Sequence, residues 1–215
     1  MCFSSQTATA SSSATRKARK SSIAGCARWN RLANALIECG LKKGERLGFL
    51  LHNCAEIIDA YAAASKAAAV VGGVNYRLSP EGIQKVIEDM GCRVLLVGAE
   101  FVDTINALRP HLPFLETCIS VGTEVAGMIE YESLLAKASP AEPRLHTHVD
   151  DLAHIIYTTG TTGAPKGAMA TRQIAMNRIS SVAIELSMDV SDRFVMVFPL
   201  FHVGIYLPLG FIFRG

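Results

Sequence analysis

Hydrophobic and polar residues follow two alternating periods along the chain, and these periods predict helices and strands in turn. Leu32 and Leu36 lie on one apolar face of a helix that ends at Gly40. The segment 47–51 is short and almost wholly apolar, as expected of a strand that is covered on both sides. A helix is therefore followed at once by a buried strand.

The same alternation continues to residue 157. The further predicted elements are helices over residues 55–69, 80–90, 102–108 and 131–136 and strands over residues 70–74, 93–97, 118–121 and 152–157. Ser79 as N-cap and Gly91 as C-terminal glycine bound one of these helices, and residues 122–150 form a surface excursion. Connections of this length suit parallel crossovers. The sequence therefore predicts an α/β fold with a mainly parallel sheet.

The composition is that of a globular chain without a broad charged field. Of the 215 residues, 50% are hydrophobic and 19% charged, which excludes disordered, collagen-like and coiled-coil chains. A net charge of +2 gives no reason to expect nucleic acid or acidic lipid as a partner. The six cysteines contain no C-x-x-C pair, so we expect reduced, mostly buried thiols in an intracellular protein.

Residues 1–22 differ in composition from the rest. They contain seven serines, four basic residues and no acidic residue. This bias resembles an organelle transit peptide, but no amphipathic face can be drawn before Ile23, so a disordered tail is the alternative. Both interpretations stay open, and with them a cytoplasmic or a mitochondrial location.

The densest chemical motif directly follows the strand over 152–157. It consists of Thr158, Thr159, Gly160, Thr161, Thr162, Gly163, Ala164, Pro165 and Lys166. Glycines let the main chain approach an anion, threonine hydroxyls add donors, and a lysine adds a positive charge. The pattern predicts a polyphosphate site, with a flexible surface turn as the alternative. It is not a Walker loop, because Gly167 follows the lysine where that motif has serine or threonine.

Two other features suggest functions that the polyphosphate site does not include. His146, His148 and His154 are close in sequence and could gather a metal, although we expect a solvated loop. The twenty residues 194–213 carry no formal charge and have the length of a membrane span. Prolines and glycines within them favour strand, turn and short helix, with a membrane-associated nucleotide-binding protein as the alternative.

Residues 157–167, with 30–36, 75–80 and 198–204, resemble the adenylate-forming (AMP-forming) acid–thiol ligases, which include acyl-CoA synthetases. The resemblance covers nearly all of residues 29–215. It implies that a carboxylate, here expected to be a fatty acid, attacks the α-phosphate of ATP to give acyl-AMP and pyrophosphate, and that coenzyme A then takes the acyl group. By this resemblance, Lys166 is catalytic and residues 158–166 hold the β- and γ-phosphates. Phe201 and His202 line the path between acyl pocket and thiol, and Mg²⁺ and coenzyme A are required.

The resemblance is incomplete in three places. The histidine usual after Lys-Gly-x-Met is absent, which predicts a short junction before the next helix, and Ile205 stands where a glycine is usual. The later elements of the family do not occur before residue 215. We therefore expect residues 23–215 to be an incomplete AMP-binding domain with little turnover alone. The alternative is a catalytically inactive product or interaction protein that keeps the fold and the nucleotide loop.

Overall fold

Helices and strands alternate through the computed structural model, which describes residues 13–159, 165–189 and 191–214. The helices are α1 (Ser13–Glu38), α2 (Ala55–Lys66), α3 (Pro80–Met90), α4 (Val102–Leu108), α5 (Tyr131–Lys137), α6 (Arg172–Glu185) and α7 (Tyr206–Arg214). The strands are β1 (Arg46–Leu50), β2 (Val70–Gly73), β3 (Cys92–Gly98), β4 (Thr117–Val121), β5 (Ile129–Glu130), β6 (Leu152–Thr159) and β7 (Pro165–Thr171). The predicted α/β class is confirmed.

Within the described residues, these strands form one seven-stranded sheet in the order β5-β4-β3-β1-β2-β6-β7. Every neighbouring pair is parallel except β6 with β7. The parallel strands therefore have their carboxyl ends at one common edge, where α/β sheets bind their ligands.

Two layers of helices cover the sheet, and the side chains of each strand alternate between them. On one side, the α2 face, strand residues such as Phe49 and Leu96 pack on α1, α2 and α5. On the other, the α3 face, residues such as Leu50 and Leu95 pack on α3 and α4. Because helices cover both sides of the central strands, successive side chains are all buried, which explains the nearly continuous apolar runs in the sequence.

The boundaries of α3 follow from local chemistry. The Ser79 side chain accepts a hydrogen bond from the Gly82 amide, and Pro80 occupies the first turn. Gly91 ends the helix in the left-handed conformation, with φ +61°. A side chain at Gly91 would also collide with the Arg46 guanidinium. Both the start and the end of this helix are therefore set by residues that the sequence analysis singled out.

Two strands were not predicted. β5 has only two residues, which is too few to give a periodic pattern, and it adds to β4 at the edge of the sheet inside the 122–150 excursion. β7 includes Pro165 and Lys166, which the sequence analysis assigned to a loop, and runs antiparallel to β6. The polyphosphate motif is thus the tip of a β-hairpin together with its two arms.

A buried carboxylate joins three helices on the α2 face. Asp59 of α2 accepts hydrogen bonds from the Arg28 Nε atom (2.7 Å), the Trp29 indole (2.9 Å) and the Tyr131 hydroxyl (3.0 Å). Arg28 continues to Glu132 of α5 through two further bonds. Because three donors, one of them the Arg28 guanidinium, bond to Asp59, its charge is compensated in a site that is 6% exposed.

The uncharged stretch 194–213 folds as an irregular segment, a short 3₁₀ turn over Val203–Ile205, and most of the nine-residue helix α7. The predicted turn and short helix are confirmed, but the predicted strand is wrong. Among the helices in the described part of the chain, none combines the length and the apolar character that crossing a membrane requires.

Candidate nucleotide site

The polyphosphate motif lies at the carboxyl edge of the sheet, where β6 turns back into β7. Thr158 and Lys166 are paired directly across the two strands, and the Thr158 hydroxyl donates to the Lys166 carbonyl at 3.4 Å. Both residues are exposed, and the Lys166 ammonium makes no hydrogen bond or ion pair with any described residue. A hydroxyl and an unneutralised cation therefore stand together on one hairpin.

The tip of this hairpin lies outside the described residues. It comprises Gly160, Thr161, Thr162, Gly163 and Ala164, all of which were assigned to phosphate binding from the sequence. Their part in the site stays a prediction.

A close contact between Tyr157 and Gly167 holds the base of the hairpin. A side chain at Gly167 would lie 2.8 Å from the Ile155 Cγ2 atom and 3.1 Å from the Tyr157 ring. The Tyr157 hydroxyl donates to Asp89 at the end of α3, at 2.7 Å. Burial first, and Asp89 second, raise the pKa of Tyr157 above its ordinary value, so this phenol stays a neutral donor. Lys166 thus extends from a rigid base.

The side-chain alternation of β6 decides which way the two exposed groups project. Ile156 belongs to the α2 face and Tyr157 to the α3 face, so Thr158 projects on the same side as Ile156. Lys166 projects with its direct partner Thr158. Phe201 packs in the α2-face core. Thr158, Lys166 and Phe201 therefore share one side of the sheet.

The Phe201-His202 pair crosses the carboxyl end of β2. A side chain at Gly73, the last residue of β2, would lie 2.7 Å from the Phe201 Cα atom and 2.6 Å from the Phe49 ring. Only glycine therefore lets the main chain of Phe201 come this close to the sheet. The Phe201 ring also meets the Tyr76 ring edge to face, with centroids 5.3 Å apart, while His202 is half-buried.

Two further aromatic residues, His52 and Phe101, lie beside Tyr76 at this edge, and the sequence analysis did not single them out. The His52 ring, just after β1, lies 4.3 Å from the Tyr76 ring and 5.2 Å from the Phe101 ring. Its Nε2 atom is 3.4 Å from the Glu100 carboxylate. Their proximity could have been predicted from the fold class, because each residue closely follows a parallel strand and the carboxyl ends of parallel strands lie at the same edge of the sheet.

The structure separates the three histidines that could have gathered a metal. His154 is buried on the α2 face, while His146 and His148 are exposed in the segment before β6. Across the residues the structure describes, no three His, Cys, Asp or Glu side chains come together as a metal site would need. His154 was recognisable as a core residue, because it lies inside the predicted strand over 152–157, two positions from Ile156.

The His154 imidazole instead forms part of a buried polar group. Its Nε2 atom is 2.5 Å from the Tyr206 hydroxyl, to which the Arg178 guanidinium also donates at 3.3 Å. The Tyr61 ring lies 6.0 Å from the imidazole. Burial, and second the Arg178 charge, lower the pKa of His154 to about 4. This contact ties α7 to β6, the strand that leads into the hairpin.

The two positions that depart from the resembling family are both accommodated. Thr171 caps α6 by accepting from the Ile174 amide, and Arg172 at the first helical position donates to Ser65. Ile205 is fully buried in the 3₁₀ turn, and its φ is not in the left-handed region. The main chain therefore needs no glycine at Ile205. It does need Gly204, where a side chain would lie 2.8 Å from the Phe198 Cβ atom and 2.9 Å from the Pro199 carbonyl.

An apolar groove of about 510 Å³ opens beside the Phe201-His202 segment. It lies between the start of α2 and the segment that includes α7. Its lining residues are Asn53, Cys54, Ala55, Ile58, Asp192, Phe194, Met196, Leu200, Pro208, Phe211 and Ile212.

Comparison with known proteins agrees with the fold. The family model described as AMP-binding enzyme matches residues 26–215. The chain therefore belongs to the AMP-binding, adenylate-forming acyl-CoA ligase family.

Individual relatives act on different acids. The chain is 32% identical over 175 residues to the long-chain-fatty-acid–CoA ligase FadD13 of Mycobacterium tuberculosis, covering 81% of this chain and 34% of that protein. It is 34% identical over 179 residues to the indoleacetate–CoA ligase of Aromatoleum aromaticum, with coverage of 81% and 34%. The chain thus spans about a third of the length of these curated relatives.

Solved structures of the family superpose well on this chain. The inhibitor-bound N-terminal domain of FACL13 from Mycobacterium tuberculosis gives a TM-score of 0.74 at 27% identity, covering 88% of this chain and 47% of that one. ATP-bound MatB from Rhodopseudomonas palustris also gives 0.74, at 26% identity, covering 88% of this chain and 37% of that one.

Proposed function

We propose that the chain supplies the ATP-phosphate site, and one wall of the acyl path, of an enzyme that activates a carboxylic acid for transfer to coenzyme A. The observation that carries the proposal is the projection of Thr158, Lys166 and Phe201 on one side of the sheet, at its carboxyl edge. The ATP-bound MatB structure, which has a similar fold, supports ATP as the ligand.

The proposed reaction has two group transfers. A carboxylate oxygen of the acid attacks the α-phosphorus of ATP, the bond from that phosphorus to the bridging oxygen breaks, and pyrophosphate leaves with the bonding electrons. The thiol sulfur of coenzyme A, after losing its proton, then attacks the acyl carbon, and AMP leaves. No oxidant or reductant is needed.

Lys166 and Thr158 fit the task of the first step. Negative charge builds up on the departing pyrophosphate, and a fixed cation with adjacent donors stabilises that charge with little reorganisation. Lys166 is exposed and unpaired among the described residues, so binding phosphate breaks no existing ion pair. Residues 159–164 would add donors in this proposal.

Mg²⁺ enters the proposal through family membership. The described residues bring no three His, Cys, Asp or Glu side chains together, so we assign no Mg²⁺ ligand and no step to the ion. Coenzyme A enters the proposal through family membership.

A fatty acid is the substrate class we propose, with Phe201 and His202 lining its path. The apolar groove beside Leu200 and the fatty-acid relative both support an apolar acyl group. The indoleacetate relative makes an aromatic acid the competing class, so a substrate panel must contain both.

Replacement of Lys166 tests the nucleotide site. Loss of a charged hydrogen bond costs roughly 1.5–3 kcal/mol, so Lys166→Ala should weaken ATP binding about tenfold to a hundredfold in calorimetry. Lys42→Ala is the matched control, because Lys42 is equally exposed but precedes β1 at the opposite edge of the sheet. Equal ATP affinity in the two variants would contradict the proposal.

Turnover is measured separately from binding. Acid-dependent pyrophosphate release with fatty and aromatic acids would establish activation by this chain. ATP binding that depends on Lys166, without any pyrophosphate release, would favour the alternative function, a nucleotide-binding module without ligase activity.

A further inference from the structure

The segment from Phe198 to His202 crosses the sheet edge without forming a strand, so its backbone groups need partners from elsewhere. The Asn53 side chain provides two of them. Its Nδ2 atom donates to the Phe198 carbonyl at 2.8 Å, and its Oδ1 atom accepts from the Leu200 amide at 2.9 Å. One amide side chain thus pairs with the segment as a neighbouring strand would.

Asn53 is itself held by two rigid elements. It lies three residues after the end of β1 and two residues before the start of α2. β1 is the direct neighbour of β2, whose last residue Gly73 receives the Phe201 main chain. The two hydrogen bonds therefore fix the segment one and three residues before Phe201, next to the point where Phe201 meets the sheet.

The other contacts of the segment do not replace these bonds. Gly204 gives room for the turn, and the His202 amide donates to Pro199 at 3.3 Å within the segment itself. Tyr206 is held to β6 through His154, but only after the 3₁₀ turn. On the side that precedes Phe201, Asn53 makes the hydrogen bonds that link the segment to the sheet.

We propose that Asn53 is a positioning residue that sets Phe201 and His202 along the acyl path through its paired hydrogen bonds to Phe198 and Leu200. The expected effect of Asn53 on acyl-group binding rests on the proposed function, since Phe201 and His202 line an acyl path only if the chain binds an acyl group. The positioning itself does not depend on that function. The two parts can therefore be tested separately.

The first test is spectroscopic and needs no ligand. The Tyr76 and Phe201 rings are 5.3 Å apart, so their protons give nuclear Overhauser cross-peaks in the full-length chain with labelled aromatic residues. In Asn53→Ala we expect these cross-peaks to fall at least threefold. Asn53→Asp keeps the acceptor for Leu200 but places a carboxylate oxygen against the Phe198 carbonyl, so it should give an intermediate intensity.

Asn106→Ala is the matched control, because Asn106 is exposed on α4 and makes no side-chain hydrogen bond to a described residue. It should keep the wild-type cross-peaks. Wild-type intensity in Asn53→Ala, with the other core signals unchanged, would overturn the positioning role. If the spectrum of Asn53→Ala loses dispersion throughout, that variant is unfolded and Asn53→Asp is the test. Wild-type intensity of the Tyr76–Phe201 cross-peaks in Asn53→Asp would then overturn the proposal.

The second test separates the acyl path from the phosphate site. Calorimetry compares ATP with a non-hydrolysable dodecanoyl-adenylate analogue. In Asn53→Ala we expect analogue affinity to fall about tenfold and ATP affinity to change less than twofold. Equal losses for both ligands, or no loss for the analogue, would overturn the substrate consequence. If the wild-type chain binds neither ligand, the proposed function fails, while the cross-peak comparison still decides the role of Asn53.

Discussion

The buried His154 makes stability depend on pH in a predictable direction. The imidazole is 3% exposed and faces Tyr206, Arg178 and the Tyr61 ring. Arg178 donates to the Tyr206 oxygen, which leaves the Tyr206 proton to bond to the Nε2 lone pair of a neutral imidazole. Burial first, and the positive charge of Arg178 second, disfavour the protonated imidazole and lower its pKa from 6.5 to about 4.

The sign and size follow from proton linkage. Between pH 6.5 and 4 the unfolded chain binds a proton at His154 that the folded chain does not bind, so the free energy of unfolding falls as the pH falls. The full contribution is present above pH 6.5 and amounts to roughly 3 kcal/mol. Going from pH 7 to pH 5 should remove about 2 kcal/mol of it.

Urea unfolding followed by the fluorescence of Trp29 measures this effect at pH 7 and pH 5. Other groups also titrate in this range, so the decisive quantity is a difference between variants. From pH 7 to pH 5, the free energy of unfolding of the wild type should fall by about 2 kcal/mol more than that of His154→Gln. The exposed His111 gives the matched control, since His111→Gln should behave as the wild type does.

The same pH dependence in the wild type and in His154→Gln would refute the reasoning. If His154→Gln is too unstable for a urea titration, the imidazole resonances of wild-type His154 give a second measurement. They should not titrate above about pH 5.

Two further substitutions test the packing on the α2 face. Gly73→Ala places a methyl group 2.7 Å from the main chain of Phe201 and should destabilise the chain by about 1–3 kcal/mol in urea unfolding, with weaker Tyr76–Phe201 cross-peaks; unchanged stability and cross-peaks would contradict the close approach. Asp59→Ala leaves three donors without their acceptor and should lower the free energy of unfolding by roughly 3 kcal/mol. Glu142→Ala breaks an ion pair whose carboxylate is 53% exposed and should lower it by less than about 1 kcal/mol; equal losses would contradict a structural role for Asp59.

Local chemistry was sufficient to predict much of the fold. Ser79, Pro80 and Gly91 each act on the backbone within one helical turn, so the sequence bounds α3 correctly. The buried strands likewise show themselves as apolar runs, because helices cover both of their sides. β7 escaped prediction because only one of its seven residues is buried and its glycine, proline and threonine are typical of a loop.

The site residues that the sequence did not reveal depend on contacts between distant parts of the chain. Asn53 bonds to residues about 145 positions away, and nothing in its own neighbourhood indicates those partners. Gly73 resembles any strand glycine until Phe201 is seen against it. In both cases the informative quantity is a distance across the fold, which local periodicity does not contain.

Strand β6 connects the two halves of the candidate site through side-chain alternation. His154, Ile156 and Thr158 project on the same side of the sheet. His154 contacts Tyr206, Ile156 packs in the α2-face core, and Thr158 is paired with Lys166. A shift of one residue in the pairing of β6 would move all three to the α3 face. A pairing of β6 that keeps His154 in contact with Tyr206 therefore also keeps the proposed phosphate-binding groups on the side where Phe201 and His202 cross the sheet.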